Sequence, residues 1–224
     1  SGVRVLHEGR ECMVRAKRGV LIAAGGYAHN LEMRKRYSKQ PASTDWTFAN
    51  PGETGEVVRM AMRLGAAMDL MDEAIWIPMT LSPLGPMYLE YERGKPFSLL
   101  VDGEGNRYLD EGCSYMTFGQ VMYDRNQQSS TIPSWLIMDS RHRKRYTFSM
   151  QLPGRTPKEW FDSGFMKRAG TIRELAALCT VDPHALENTV KRFNQFAATG
   201  IDEDFHRGDT AFSRHFGDPR HGPN

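Results

Sequence analysis

Short apolar runs alternate with turn-forming residues along this chain, and the pattern predicts a protein with both strands and helices. Residues 3–6 and 12–16 alternate apolar and polar positions around a glycine-containing turn, which predicts a β-hairpin. Residues 19–24 are all apolar or glycine and lead into a glycine pair, as expected of a strand buried on both faces of a layered sheet. A short helix is predicted over residues 31–37.

The next segment supplies a loop and a second helix, and then the character of the chain changes. Residues 50–56 are rich in turn formers and lead into an apolar, Ala-containing helical pattern over residues 57–66. From about Asp72 the chain becomes irregular and rich in aromatic, Met and Pro residues. We therefore place a domain boundary there, which gives a first domain over residues 1–72 and a second over residues 73–224.

The second domain begins with a predicted sheet. Residues 97–101 and 107–109 bracket a Gly- and Asn-containing turn at residues 102–106, which predicts a hairpin. Residues 135–139 have the pattern of a short buried strand. The basic run at residues 141–145 is interpreted as a solvated turn without a binding function.

Two helices and a polar tail complete the second domain. Thr171 and Glu174 have the spacing of a capping box before a short amphipathic helix. Asp182 is the predicted N-cap of the clearest helix, which has proline at its first position, keeps one apolar face and ends at Gly200. The tail over residues 201–224 is polar and is interpreted as a connector.

Composition limits the classes of partner. The 224 residues are 40% hydrophobic, and 29 basic against 27 acidic residues give a formal charge of +2, too small for binding to a phosphate backbone. The sequence has no apolar run long enough to span a membrane and no basic leader before an apolar stretch, so we expect no membrane span. Cys12, Cys113 and Cys179 lack disulfide or zinc-site spacing, so we expect no metal site and a cytoplasmic location.

The glycine pair after the apolar run is a candidate cofactor contact. Ala24, Gly25 and Gly26 end that run, and a glycine lacks the Cβ that would keep backbone away from a phosphate or a ring. A tight turn is the commoner explanation for such a pair taken alone. Here, however, the pair stands within residues 16–30, ahead of the loop and the Ala-rich helix, which makes three motifs in order.

These three motifs together resemble the flavoprotein family that contains fumarate reductases and 3-ketosteroid dehydrogenases. The resemblance implies FAD as cofactor and a fold of α/β plus α+β type, in which part of a Rossmann-like FAD-binding domain is followed by a substrate-binding (cap) domain. It also implies that two sets of residues lie beside the flavin. They are Ala24, Gly25 and Gly26, and, as a weaker set, Asn50, Gly52, Thr54 and Gly55.

The chain departs from the family pattern at three points. It has Gly55-Glu56-Val57 where the family usually has Gly-Asp-Gly, and it contains no GxGxxG fingerprint. It also has no C-terminal glycine-rich flavin segment. We therefore interpret it as a central fragment of a family member and expect it to be inactive by itself.

A tyrosine in the second domain is the candidate catalytic residue. Residues 102–111 resemble a general strand of the family, and residues 114–123 resemble the tyrosine-containing segment of 3-ketosteroid Δ1-dehydrogenases, with Tyr-x-x-Phe-Gly starting at Tyr115. The resemblance implies that Tyr115 takes a proton beside the ketone while FAD takes the hydride. A tyrosine hydroxyl ordinarily has a pKa of about 10, so neighbouring groups must stabilise its anion. Without the resemblance, a tyrosine packed into the core at a strand end is the simpler interpretation.

The expected function is introduction of a C=C bond into the steroid A ring, a step of steroid metabolism. Trp76, Phe118 and Trp135 are candidates for an apolar pocket around a 3-ketosteroid or similar keto substrate, although each of them could equally be ordinary core. Two alternatives remain open: a fumarate reductase-like flavoprotein acting on another unsaturated or keto substrate, and an isolated domain without activity. No arginine and histidine arrangement suited to a dicarboxylate is found around residues 114–122.

Overall fold

The computed structural model describes residues 2–222 of the chain. These residues form eight helices and six strands, with one short 3₁₀ turn at Thr44–Trp46. The helices are α1 Leu31–Tyr37, α2 Glu56–Arg63, α3 Tyr115–Arg125, α4 Ser140–Arg145, α5 Lys158–Asp162, α6 Ile172–Cys179, α7 Pro183–Thr199 and α8 Ala211–Phe216. The strands are β1 Gly2–His7, β2 Arg10–Arg15, β3 Met79–Ser82, β4 Gly85–Tyr88, β5 Ser98–Val101 and β6 Trp135–Met138.

The chain divides into two compact units. The first consists of Ser1–Ser38 and Ala42–Met71, and the second of Lys39–Pro41 and Asp72–Asn224. Within residues 2–222, no helix has both the length and the apolar character needed to cross a membrane.

The first unit begins with the predicted hairpin, which is confirmed. Strands β1 and β2 pair antiparallel, from Gly2 opposite Arg15 to His7 opposite Arg10. Glu8 and Gly9 form the two-residue turn, with φ angles of 49° and 77°. Positive φ at both turn residues matches the right-handed twist of the flanking strands, so the loop length and the glycine together fix the register.

The prediction of a buried strand over residues 19–24 is wrong. The segment forms neither strand nor helix, and its apolar side chains are exposed, Leu21 to 91% of its maximum. A strand needs a neighbour to satisfy its backbone N–H and C=O groups. Every sheet within residues 2–222 is a two-stranded antiparallel pair, and none of these pairs includes this segment.

The two helices of the first unit form as predicted. Asn30 caps α1, and its side-chain oxygen accepts a hydrogen bond from Met33 N at 3.0 Å. Helix α2 starts after Gly55, which adopts a left-handed conformation with φ of 80°. Gly65, also at a φ of 80°, lies just beyond the end of α2, as the sequence pattern indicated.

In the second unit the predicted hairpin over residues 97–109 is wrong. Strand β5 pairs antiparallel with β6, from Ser98 opposite Met138 to Val101 opposite Trp135, and residues 107–109 are not a strand. The strand prediction for β6 itself is confirmed. The tight turn does form, since the Asp102 carboxylate accepts from two backbone N–H groups of the turn, but its far side leads away from β5.

Three further predictions for the second unit are wrong. The stretch expected to be irregular after Asp72 contains the β3–β4 hairpin. The basic run is helix α4 instead of a solvated turn, because the Asp139 carboxylate caps the backbone N–H groups of Arg141 and His142. The polar tail is packed, with α8 and a buried Arg207.

Helices α6 and α7 confirm the local signals read from the sequence. Thr171 and Glu174 form a complete capping box at α6. Asp182 accepts from Ala185 N at 2.7 Å at the start of α7, and Gly200 ends that helix with φ of 75°. Their apolar faces pack with β5 and β6 into a core cluster. Its buried members are Leu99, Val101, Ile137, Ala176, Cys179, Val181 and Leu186.

A buried ionic network ties the tail to the rest of the second unit. The Glu111 carboxylate is fully buried. It accepts two hydrogen bonds from Arg107, one from Nε at 2.9 Å and one from Nη2 at 2.8 Å. It also lies 3.3 Å from Arg207 Nη1 and accepts from Leu100 N at 3.0 Å. Arg107 makes a second pair with Asp202 at 2.9 Å. Burial acts to raise the pKa of Glu111, but the two guanidinium groups outweigh it and hold that pKa below its usual range.

Glu111→Gln should destabilise the protein strongly, because Arg107 and Arg207 would then lose a buried counter-charge. We expect a loss of about 3–5 kcal/mol in the free energy of unfolding at neutral pH. A carboxylate whose pKa is lower in the folded protein than in the unfolded chain stabilises the fold at pH values above its unfolded-state pKa. That stabilisation is lost as the pH falls through its folded-state pKa. The variant should therefore show a weaker pH dependence than the parent below about pH 4.

Urea unfolding at pH 7 and at a series of acid pH values measures both effects. Glu187→Gln is the matched control, since Glu187 pairs with Arg173 on the exposed surface and should change stability by at most about 1 kcal/mol. Equal losses in the two variants would contradict the prediction.

Candidate functional site

The glycine turn of the first unit lies directly against the loop that precedes α2. Gly25 has a φ of 75°, a conformation that glycine adopts without strain. A Cβ added at Gly25 would lie 2.9 Å from Glu53 Cγ, and one added at Gly26 would lie 3.6 Å from Glu53 Oε2. The Glu53 side chain therefore covers part of the turn.

Hydrogen bonds fix this contact on both sides. His29 N donates to Glu53 O at 3.0 Å, and His29 Nε2 lies 3.0 Å from Ala49 O. The side-chain amide of Asn30 donates to Thr54 O at 2.7 Å. The structure thus brings together the two sets of residues predicted to lie beside a cofactor, although they are about 25 positions apart in sequence.

The loop over residues 50–55 is ordered by its own side chains and by close packing. The Asn50 side chain accepts from Gly52 N at 2.8 Å, and Thr54 N donates to Gly52 O at 2.9 Å. A Cβ at Gly55 would lie 2.5 Å from Met33 Sδ, so packing against α1 as well as its positive φ favours glycine there.

The start of α2 carries a negative charge of its own. The Thr54 hydroxyl donates to the Glu56 carboxylate, and this hydrogen bond is the main cause that lowers the pKa of Glu56. An acidic side chain in the first turn complements the positive end of the helix dipole. The residue that departs from the family pattern at this position therefore has a local structural role.

In the second unit, Tyr115 is the first residue of α3. The preceding residue, Ser114, caps the helix, and its hydroxyl accepts from Thr117 N at 3.1 Å. Tyr115 is 38% exposed, so it is not a core tyrosine at a strand end.

The turn before α3 contains a thiol that is not reactive. Cys113 N donates to Asp110 O at 3.0 Å, and Gly112 N donates to the Asp110 carboxylate at 2.7 Å. Burial raises the pKa of Cys113 to about 11, so its thiol is protonated at neutral pH. Cys113 is therefore not a candidate for proton transfer in this segment.

Trp76 packs on the side of α3 that carries Tyr115. A Cβ added at Gly119, one turn after Tyr115, would overlap the Cβ of Trp76. The Trp76 ring lies 4.8 Å from the ring of Tyr123, and its indole N–H donates to Glu73 Oε2 at 3.2 Å. Gly119 is thus the residue that allows the tryptophan to approach the helix.

The other two aromatic candidates lie in separate clusters. Phe118 is buried with Leu100, Tyr108 and Leu109. Trp135 packs against the cluster formed with α6 and α7, and Lys167 Nζ lies 4.8 Å from the centre of its ring. Their roles in contacting a substrate, like that of Trp76, stay predictions.

Sequence reasoning did not single out Glu53 or Ser114 for the site. Ser114 could have been found, because serine is among the residues preferred at a helix N-cap. Glu53 has no local signal, since its contact with the glycine turn depends on two distant segments meeting. Among residues 2–222 no group of three or more His, Cys, Asp or Glu side chains could hold a metal ion.

Comparison with known proteins places these features in context. The sequence matches the FAD binding domain family over residues 1–224. The chain is 40% identical to the 3-oxosteroid 1-dehydrogenase of Mycobacterium tuberculosis, covering 99% of this chain and 41% of that protein. It is 38% identical to the enzyme of the same name from Mycolicibacterium smegmatis, covering 95% of this chain and 38% of that protein.

A solved structure shows the same fold. The chain superimposes with a TM-score of 0.91 on 3-ketosteroid Δ1-dehydrogenase from Sterolibacterium denitrificans in complex with 1,4-androstadiene-3,17-dione, at 34% identity. The match covers 100% of this chain and 41% of that chain. The chain therefore has a flavoprotein fold similar to that of a ketosteroid dehydrogenase, and it spans about two fifths of the relatives that it matches.

Gly119→Ala should destabilise the second unit, because the added methyl group would overlap Trp76. Alanine gains about 1 kcal/mol of helix propensity over glycine, but overpacking costs about 1–3 kcal/mol, so we expect a net loss. Urea unfolding followed by tryptophan fluorescence measures it. Gln120→Ala in the same helix is the control and should change stability by no more than about 0.5 kcal/mol. A Gly119→Ala variant more stable than the parent would contradict the packing described.

Proposed function

The chain belongs to the FAD binding domain family, and we propose that it is the central part of an FAD-dependent 3-ketosteroid dehydrogenase of the Δ1 type. The activity is introduction of a C=C bond into the A ring of a 3-ketosteroid. The observation that carries the proposal is the half-exposed Tyr115 at the start of α3, in a chain 40% identical to a 3-oxosteroid 1-dehydrogenase.

The two units have different proposed roles. We assign residues 1–72 to part of a Rossmann-like FAD-binding domain and residues 73–224 to the substrate-binding (cap) domain, and the compact units divide one residue earlier, between Met71 and Asp72. The glycine turn lies in one unit and Tyr115 lies in the other, which supports this assignment. A cytoplasmic location is proposed on the basis of three isolated free thiols, Cys12, Cys113 and Cys179.

The residues of the first unit fit FAD. Neither Gly25 nor Gly26 has a side chain to hold a flat ring or a phosphate away, and the loop in contact with them is held in one conformation by hydrogen bonds. When bound, FAD would supply the hydride acceptor of the reaction. The residues that would hold it are Ala24, Gly25, Gly26, Asn50, Gly52, Thr54 and Gly55.

Tyr115 has the proposed role of proton acceptor. A carbon beside a ketone is acidified, so a positioned phenol oxygen can take its proton while the hydride leaves the neighbouring carbon. Tyr115 is the first residue of α3, and the Ser114 hydroxyl, which accepts from Thr117 N, fixes the start of that helix. Solvent or substrate can reach the side chain, as a proton acceptor requires.

The proposed substrate is a flat, apolar ketone. Trp76, Phe118 and Trp135 are the proposed apolar contacts, of which Trp76 shares a side of α3 with Tyr115. Support for a steroid comes from the S. denitrificans neighbour, whose structure contains 1,4-androstadiene-3,17-dione.

The proposal is tested by adding androst-4-ene-3,17-dione to the full-length protein without oxygen. We expect the flavin absorbance near about 450 nm to fall as the flavin is reduced. Fumarate and a saturated steroid without the ketone are the controls and should leave the absorbance unchanged. Flavin that stays oxidised with the ketosteroid would overturn the proposal.

Gly26→Ala tests the cofactor contact separately from the fold. Gly26 has an ordinary backbone conformation and its nearest neighbour, Glu53 Oε2, is 3.6 Å from the position of an added methyl group. The substitution should therefore leave the melting temperature of the flavin-free protein unchanged and weaken FAD binding at least about tenfold, because the methyl group keeps the cofactor away. Fluorescence titration of the full-length protein with FAD measures the Kd. Gly19→Ala, at a glycine with open space around it, should change neither quantity.

Tyr115→Phe removes the proton acceptor while keeping the ring. In the full-length enzyme kcat should fall by about 100- to 10,000-fold, whereas the Kd of the steroid and the melting temperature should change little. Stopped-flow reduction of the flavin at saturating steroid gives the rate. Turnover within about threefold of the parent, at full flavin occupancy, would remove Tyr115 from the mechanism.

A further inference from the structure

Arg93 is a buried arginine that none of the features above explains. It is completely inaccessible to solvent, which is rare for a guanidinium group. Its Nη1 donates to the backbone oxygen of Glu111, and its Nη2 donates to the backbone oxygen of Cys113 at 2.7 Å. Among the ion pairs of residues 2–222, Arg93 takes part in one, in which its Nη2 lies 3.5 Å from the Glu90 carboxylate.

The two carbonyl groups that Arg93 binds come directly before the helix of Tyr115. Glu111 and Cys113 flank Gly112, and Ser114 follows as the N-cap of α3. A planar guanidinium can hold two acceptors at once in a fixed geometry, which a flexible ammonium group cannot. Arg93 therefore fixes the direction in which the chain enters α3.

The same guanidinium also holds the first turn of the helix. Its central carbon lies 4.9 Å from the centre of the Phe118 ring, three residues after Tyr115, and 5.6 Å from the ring of Phe216 in α8. Cation–π contacts of this kind gain strength when they are away from water. One side chain, that of Arg93, thus contacts both the residues that lead into α3 and the first turn of α3. The same guanidinium lies against the Phe216 ring of α8.

The turn between the two carbonyl groups has little freedom to move. A Cβ added at Gly112 would overlap the Ser213 hydroxyl, and that hydroxyl donates to the Asp110 carboxylate at 3.1 Å. The backbone of the turn is therefore pressed against α8 on one side and bound by Arg93 on another.

We propose that Arg93 is a positioning residue for the reaction: through the turn at residues 111–113 and the Phe118 ring, it holds the Tyr115 phenol at the place where the substrate proton is taken. The proposal rests on the proposed role of Tyr115. Proton transfer is sensitive to distance, and a displacement of about 1 Å can cost on the order of 100-fold in rate. A buried, doubly bonded clamp beside the helix start is a means of limiting such displacement.

A double-mutant cycle in the full-length protein tests this inference. Arg93→Lys keeps the charge but replaces the planar guanidinium fork with a flexible ammonium group, so kcat should fall at least about tenfold with a smaller change in KM. If Arg93 acts through Tyr115, the same substitution in a Tyr115→Phe background should lower kcat by less than about threefold, because the group it positions is already gone. Hydrogen exchange at the backbone of residues 112–118 should be faster in Arg93→Lys than in the parent.

Arg207→Lys is the matched control. Arg207 is also buried and donates to the backbone oxygens of Gly94, Lys95 and Ser98, but its contact with the turn is limited to the Glu111 carboxylate. Its substitution should lower stability and change kcat by the same factor in both backgrounds. If Arg93→Lys yields no folded protein, Phe216→Leu, which removes the ring behind Arg93, takes its place in the same cycle.

The outcomes separate the two proposals. Equal factors for Arg93→Lys in both backgrounds, with Tyr115→Phe itself slow, would overturn the positioning role and leave Tyr115 as the proton acceptor. Near-normal turnover in Tyr115→Phe would overturn the role of Tyr115 and, with it, that of Arg93. Loss of the Arg93 effect in the Tyr115→Phe background, together with faster exchange at residues 112–118, supports the positioning role.

Discussion

The second unit depends on one residue, Glu111, which is buried as an ion. Its carboxylate is shared by Arg107 and Arg207 and by a backbone N–H of β5, and its own carbonyl oxygen accepts from Arg93. Burial of a charge is costly unless every partner is present, so the strand, the turn before α3 and the tail must assemble together. The turn that leads into α3 is therefore tied to this network through both the carboxylate and the carbonyl oxygen of Glu111.

Features encoded within a few neighbouring residues could be predicted from the sequence. The capping box of Thr171 and Glu174 and the Asp182 N-cap both form as expected, because each is a hydrogen bond between groups three positions apart. The β1–β2 hairpin follows for the same reason, since a two-residue turn with positive φ sets its register. The resemblance to a flavoprotein family also rested on short ordered motifs, and the match to the FAD binding domain family confirms it.

What the sequence did not reveal depends on partners far along the chain. Residues 19–24 have the composition of a buried strand, but composition does not supply the neighbouring strand. Arg107 is bound to Asp202, 95 positions away, and β5 pairs with the distant β6 instead of with residues 107–109. Within the candidate site, the contact of Glu53 with the glycine turn and the clamp formed by Arg93 likewise arise only when distant segments meet.

The exposed apolar segment at residues 19–24 also bears on how this polypeptide behaves in solution. A stretch that belongs to no sheet of residues 2–222 and exposes side chains such as Val20, Leu21 and Ile22 can add to a strand edge of another molecule. It carries no charge and no proline, which are the residues that natural edges use to prevent such pairing. Whenever the segment is uncovered, its composition therefore favours β-pairing with another molecule.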